Sequence, residues 1–525
     1  MRKGRLKKLR IFLSLSFFIV IAVLFLDFTG KIFSTAANAI LHFQFVPSVI
    51  QFVTSLAPVA LGFVLILILT LFFGRIYCST LCPLGTLQDI FSYAARKLSP
   101  RKVIFKFKRP LNWLRYGLMA VVILSLLTGS ILLVNLFDPY SAFGKVFHNL
   151  LSPLIVLADN ITSKVLTFAD IYWLPPVKWV AVNKAALLVA LLWIVLLVIL
   201  AVKRGRLYCN TLCPVGAFLG IFAGFSFFRI RLDKTACNSC GKCSAVCKAE
   251  CIDPTDQRVD FSRCVGCMNC LSPCPDGGVK FQPFWKKDEV KISTYDPGKR
   301  KFIVEAGLLL AAGSLDTSKV LFPQEEKKKE TIPATVPIFR LHPVTPPGAL
   351  GQARFNSMCT ACHLCVSACP TQVLQPTYFL YGLAGFLQPR MDYITSFCNY
   401  ECTLCGEVCP TGAILPFPPA EKKLIQLGKS KFVKENCVVE TRKTACGACS
   451  EHCPTKAVNM VPYQEKLTIP EVNDKICIGC GACEYACPTD PKSIYVEGNI
   501  LHQLAEKPKE VKIEEKIDYK EEFPF

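Results

Sequence analysis

The sequence lacks the usual marks of a soluble enzyme. It has no nucleotide-binding fingerprint, no catalytic triad and no basic patch interleaved with aromatics. Acidic residues are scarce, 39 against 60 Lys plus Arg, for a formal charge of +21. Without a patterned basic surface that excess is a weak argument for nucleic acid. The 525 residues are enough for three or four domains.

What is present is cysteine, 29 in all. Cys237, Cys240, Cys243 and Cys247 form a C-x2-C-x2-C-x3-C run. Cys264, Cys267, Cys270 and Cys274 repeat it, as do Cys359, Cys362, Cys365 and Cys369, and Cys477, Cys480, Cys483 and Cys487. Two variants open with longer spacings: Cys398, Cys402, Cys405, Cys409 and Cys437, Cys446, Cys449, Cys453. Pro follows the last Cys in five of the six tetrads. Three thiolates on one tight loop plus a fourth from further away is the bacterial pattern for [4Fe-4S] cubanes. Disulfide frameworks have no reason to repeat that spacing. Six oxidised cubanes with their thiolates would remove about 12 of the positive charges.

Residues 1–230 are oily and 231–525 hold 25 of the cysteines. Four apolar runs reach or approach span length: Ile11–Phe28, Phe52–Phe73, Gly117–Phe137 and Ala185–Val202. Six Lys/Arg in the first ten residues and nine in 75–116 set those segments on the cytoplasmic side, with 29–51 and 138–184 facing out. A cleavable signal peptide ending near Ala37-Asn38-Ala39 is the competing reading of the first run. The membrane half repeats internally: GRIYCSTLCPLG starts at Gly74 and GRLYCNTLCPVG at Gly205, each directly after a span. Two such hairpins would bring Cys78, Cys82, Cys209 and Cys213 to one depth, as one metal or cluster site or as two dithiol redox pairs.

The fold class expected is multi-domain: a helical membrane domain of four spans, five if the short run 303–315 also anchors, plus α+β ferredoxin-like [4Fe-4S] domains. The boundaries read are a membrane domain at 1–230, a two-cluster ferredoxin at 231–285 and a linker at 286–349. A four-cluster ferredoxin domain follows at 350–500, then a charged tail at 501–525. The first two tetrads should exchange their fourth cysteines, Cys274 joining the first three thiols and Cys247 the second three. Lys248 replaces the usual Pro, and Cys251 is left over as a spare thiol or substitute ligand. Within the linker, Lys299-Arg300 and the apolar residues after it look like a degenerate twin-arginine export signal.

Paired GRxYCxTLCPxG motifs, four spans and a following two-cluster ferredoxin resemble NapH, the membrane subunit of a quinol dehydrogenase. NosR-type and RdxA/CcoG-type polyferredoxins share that core. The four C-terminal spacings are similar to NapG and MauM ferredoxins, so the chain resembles a NapH–NapG fusion. No flavin-attachment domain of the NosR kind precedes the first span. The resemblance implies that Cys359, Cys362 and Cys365 take Cys487, and that Cys477, Cys480 and Cys483 take Cys369. It also implies that Cys398, Cys402 and Cys405 take Cys453, and that Cys437, Cys446 and Cys449 take Cys409.

The function expected is electron transfer in the bacterial cytoplasmic membrane, between the quinone pool and a periplasmic redox partner. Asp138 and His148 are candidates for handling quinol protons at the outer face. The cofactors expected are six [4Fe-4S] clusters and one further metal or cluster at the C-x3-C-P pairs, with quinone as substrate and membrane lipid around the spans. Copper handling or oxidase assembly, and an electron-entry subunit of a larger complex, are the alternatives.

Overall fold

The computed structural model describes residues 3–26, 40–55, 61–98, 104–172, 176–177, 183–274, 277–285, 336–464 and 466–507. The export-like segment, most of the linker and the tail beyond 507 lie outside the described residues. The described residues fall within one compact unit.

Three helices are long and apolar enough to cross a membrane: Gly4–Leu26, Pro139–Phe168 and Lys184–Arg204. The first belongs to α1 (Lys3–Leu26). The run expected at 52–73 contains the end of α2 (Phe45–Ser55) and then α3 (Gly62–Phe73). The run expected at 117–137 is broken. α4 (Tyr77–Thr80) and α5 (Pro83–Leu98) come first, then α6 (Asn112–Leu127) stops at Thr128, before Gly129 at φ +79°. α7 (Leu132–Phe137) resumes it. Only glycine takes positive φ cheaply, so the break falls there.

Within the stretch expected to face out, 138–184, residues 139–168 are helix and not loop. α8 (Pro139–Val146), a π-helical turn (Phe147–Leu151) and α9 (Ser152–Phe168) form a continuous helix. Its Asn, Ser, Thr and Lys residues hid it in the sequence. Many of them face protein, and Lys145 donates to the Asn135 carbonyl and side chain. α10 (Lys184–Arg204) follows, with Asn183 as its N-cap. Then come α11 (Leu207–Thr211) and α12 (Pro214–Ala223).

The first cysteine-rich module closes on an antiparallel pair, β1 (Phe228–Leu232) with β4 (Val279–Pro283), enclosing the short hairpin of β2 (Ile252–Asp253) and β3 (Arg258–Val259). The C-terminal module has three further antiparallel pairs. β5 (Leu374–Pro376) joins β6 (Pro389–Met391), β7 (Ile425–Phe432) joins β10 (Ile494–Leu504), and β8 (Val458–Pro462) joins β9 (Thr468–Val472). This module starts earlier than residue 350: the His342 carbonyl accepts from Gly498, and Val344 and Ala349 are buried.

The two modules pack against opposite ends of α10. At its N-terminal end the amides of Ala185 and Ala186 donate to the Tyr378 hydroxyl, and Asn183 donates to the Pro376 carbonyl. At its C-terminal end Arg204 pairs with Glu250 at 2.9 Å and the Arg206 amide donates to the Lys248 carbonyl. At 1.5 Å per residue α10 is ~30 Å long, the thickness of a hydrocarbon core.

Candidate metal centres

All 29 cysteines are free thiols. In the first module Cys237, Cys240, Cys243 and Cys274 line one small cavity. Cys247 lies within electrostatic reach of Cys267 and Cys270, and Cys251 of both Cys247 and Cys264. Cys251 is buried beside this second group, its sulfur 3.5 Å from that of Cys247. Lys248 stands where Pro is usual because its side chain docks the module: Nζ is 3.1 Å from Asp89 of α5.

The C-terminal grouping corrects the pairing implied by the resemblance. Cys369 shares a cavity with Cys398, Cys402 and Cys405. Cys409 joins Cys359, Cys362 and Cys365. Cys487 shares a cavity with Cys437, Cys446 and Cys449, and Cys453 joins Cys477, Cys480 and Cys483. Consecutive tetrads therefore exchange fourth cysteines, third with fourth and fifth with sixth. The reason is chain economy: each exchange closes a local loop, as in the first module, where the expected third-with-sixth pairing needed a long one.

One signal was missed in the sequence. Each C-terminal tetrad ends Cys-Pro-Thr, and Thr371, Thr411, Thr455 and Thr489 set their hydroxyls 3.1–3.7 Å from the sulfurs of Cys369, Cys409, Cys453 and Cys487. A hydroxyl beside a thiolate tunes a cluster's potential. The donor set suits iron–sulfur groups. Among the described residues no three His, Cys, Asp or Glu converge closely enough for a single ion, whereas four thiols around a cavity suit the corners of a cube. Burial pushes the thiols of Cys362, Cys449 and Cys480 up to about 12. Bound metal would have to drive off their protons, so loading is easier at higher pH.

The repeated motif builds a seventh quartet inside the bundle. Cys78, Cys82, Cys209 and Cys213 are all buried and mutually within electrostatic reach. Each letter of GRxYCxTLCPxG has a task. Gly74 and Gly205 turn the chain at φ +76° and +62°. Arg75 donates to the Cys209 carbonyl at 2.8 Å, and Arg206 donates to the Cys78 carbonyl. The arginines thus cross between the repeats. Tyr77 and Tyr208 reach the Phe45 amide and the Phe137 carbonyl. Thr80 and Thr211 tie their own helices back to Ile76 and Leu207. Gly85 and Gly216 leave room for the arginines: a Cβ there would lie 2.3 and 2.2 Å from the Cys78 and Cys209 carbonyls. Gln88 donates to the Cys209 sulfur at 3.3 Å.

Buried side chains join this quartet to both modules. On one side Arg206 and Lys248 both pair with Asp89, and Lys248 is within electrostatic reach of Cys267. On the other, Tyr77 and Tyr208 lie within electrostatic range of Asp138, and Tyr140 of Cys362 and Cys409. There the packing is close enough that a Cβ on Gly144 would meet the Cys362 carbonyl at 2.1 Å.

Asp138 and His148 are not loop groups facing solvent. The Asp138 carboxylate caps α8, accepting from the Ser141 amide at 2.8 Å and hydroxyl at 2.7 Å. His148 is buried, 2.8 Å from the Ser367 hydroxyl and edge-on to His363. His148 thus joins the bundle to the C-terminal module, and Asp138 caps the helix that carries it.

Thiolate quartets in cavities, mounted on membrane-type helices, define the protein as an iron–sulfur electron-transfer polyferredoxin. Comparisons with known proteins agree. A 4Fe-4S binding domain matches residues 56–108 and 185–234, around the bundle quartet. A 4Fe-4S dicluster domain matches 358–413 and 444–490, in accord with the third-with-fourth and fifth-with-sixth exchange. The ferredoxin-type protein NapH of Haemophilus influenzae is 27% identical over 237 residues, 43% of this chain and 69% of that one. The methylamine utilization ferredoxin-type protein MauN of Methylobacillus flagellatus is 27% identical over 34% of this chain and 49% of its own. The regulatory protein NosR of Pseudomonas aeruginosa is 28% identical over 38% and 24%. The chain spans about half of YccM of Escherichia coli, 54%. No solved structure matches. Over about two fifths of its length the chain is similar to NapH- and NosR-type ferredoxin proteins.

Proposed function

We propose that the protein conducts electrons through the bundle, taking them from the quinol pool and passing them to a redox partner on the periplasmic side. Cubanes, when bound, exchange one electron each. The observation that carries the reading is the bundle quartet, Cys78, Cys82, Cys209 and Cys213, lying between modules at opposite ends of α10. With two cluster-bearing ends and nothing between them, charge would have ~30 Å of helix to cross. The crossed arginines hold the quartet and offset thiolate charge in a low-dielectric interior. The six Lys/Arg in the first ten residues favour a cytoplasmic first module, and on this reading the C-terminal module faces out.

The test is a Cys78→Ser/Cys209→Ser double variant in native membranes. Quinol-dependent reduction of the C-terminal sites should be lost while iron in all six tetrads is retained. Normal reduction in that variant overturns the conduit. Alkaline phosphatase fused after Phe525 should be active, and activity from a cytoplasmic reporter alone would put all six sites inside.

A further inference from the structure

Besides Asp138 and His148, the structure offers another place for the quinol reading. A cavity of about 980 Å³ opens between α1, α5 and the first module. That is the size range of small-molecule sites. Ile11, Leu15, Ile90 and Tyr93 form its apolar wall, and each is more than a third exposed. In the bundle such side chains meet lipid, so an apolar ligand has a lateral way in.

The other wall is polar. Ser14 and Thr86 hydroxyls stand 2.7 Å apart there, and Asn269 contributes an amide. Two thiolate sites flank this wall. Thr86 Oγ1 is 3.4 Å from the Cys82 carbonyl of the bundle quartet. Asn269 lies between Cys267 and Cys270, and Lys248 follows Cys247.

The cavity's cations separate two classes of occupant. The buried ones, Arg10 and Lys248, are already paired with Asp89 at 2.9 and 3.1 Å, while Lys7, Arg96 and Lys97 line its more exposed part. A phosphate at the polar wall would have to displace that carboxylate. Neutral carbonyl oxygens need only the hydroxyls and the amide. We propose that this cavity binds a quinone headgroup, its ring between α1 and α5 and its isoprenoid tail along Ile11, Leu15 and Ile90. The proposal rests on the quinol reading above and gives it a place: beside both the bundle quartet and the second quartet of the first module.

The test uses the full chain in phosphatidylcholine nanodiscs, with a photoreactive azidoquinone and with decylubiquinol. Label should fall on peptides covering 7–15 and 86–97. The double variant Leu15→Trp/Ile90→Trp fills the cavity from exposed positions and should cut both labelling and decylubiquinol-driven reduction at least about tenfold. Dithionite should still reduce the variant's clusters, showing that it folds and loads. Label elsewhere, or wild-type reduction in the filled variant, overturns the site. Label in the cavity without any decylubiquinol reduction of the wild type would sink the quinol-dehydrogenase reading and keep the site. An anionic phospholipid that co-purifies with the wild type and is lost from the filled variant, with azidoquinone labelling elsewhere, would make this a lipid site and end the proposal.

Discussion

Asp89→Asn should loosen the first module from the bundle. Asp89 meets three cations, Arg10 and Arg206 at 2.9 Å and Lys248 at 3.1 Å, and Arg206 has no solvent exposure. At ~3 Å and an effective dielectric of about 20, each contact is worth ~5 kcal/mol before desolvation. The net cost of removing the anion is set by the cations left uncompensated, ~3–5 kcal/mol. Asn keeps the shape and loses the charge, so the change isolates electrostatics. The readout is hydrogen exchange on the purified protein. The Arg206 amide, donated to the Lys248 carbonyl at 2.8 Å, reports docking. Every 1.4 kcal/mol is tenfold, so protection across 205–213 should fall roughly 10²- to 10⁴-fold. The pH dependence follows with a definite sign. Burial would raise the Asp89 carboxyl, but Arg206, Lys248 and Arg10 outweigh it and hold it well below the usual carboxylate range. Its stabilisation is therefore present above the unfolded value near 3.9 and lost only as pH falls further. Docking in the wild type should persist at pH 5. Unchanged protection in Asp89→Asn would refute the electrostatic account.

Three further outcomes follow from the geometry. Cys409→Ser should alter the EPR signal of the site holding Cys359, Cys362 and Cys365 and spare that of Cys437, Cys446 and Cys449; the reverse would restore the pairing implied by the resemblance. Gly216→Ala should push Arg75 off the Cys209 carbonyl and cost on the order of 3 kcal/mol, seen as lower yield and a lower unfolding midpoint in detergent, whereas alanine at Gly241, with nothing within 4 Å, should keep a folded protein despite its positive φ. Anaerobic analysis should find about 24 irons if the six tetrads alone are loaded with cubanes and about 28 if the bundle quartet also holds one; about 16 would leave two tetrads empty.

The tetrads were legible because ligand spacing is local: three thiolates must lie on one tight loop, and a loop is written in consecutive residues. The paired GRxYCxTLCPxG motifs were legible as a repeat for the same reason. Their geometry was not, since the partner of Arg75 is a carbonyl 134 residues away. The helix Pro139–Phe168 was misread because hydropathy scores exposure to lipid. A helix whose polar residues face protein at membrane depth looks like a loop to that measure. Asp138 and His148 looked like free loop groups on the same error. The fourth-cysteine exchange in the C-terminal module needed the fold, because its four tetrads end alike and spacing cannot say which loop each Cys-Pro-Thr turn enters.

The crossed arginines explain why the motif comes twice. Each hairpin supplies two thiols and one guanidinium, and each guanidinium satisfies a carbonyl of the other hairpin. A single repeat would leave its buried arginine short of one carbonyl acceptor and its own buried carbonyl without the guanidinium donor, each a desolvation cost. Neither half of the quartet is stable alone, so the four sulfurs come together only when both hairpins have docked. The short helices α4 and α11 enter the bundle from the end where the first module sits, and all their residues but Leu207 are buried. Irregular backbone at that depth is tolerated only where protein covers it. The first module provides part of that cover: Phe261 stacks where a Cβ on Gly74 would be, and Lys248 stands where one on Gly205 would be. Assembly of the bundle quartet is thereby tied to folding of the adjacent ferredoxin module, and a chain that failed to fold that module would leave its buried thiols and arginines without a lid.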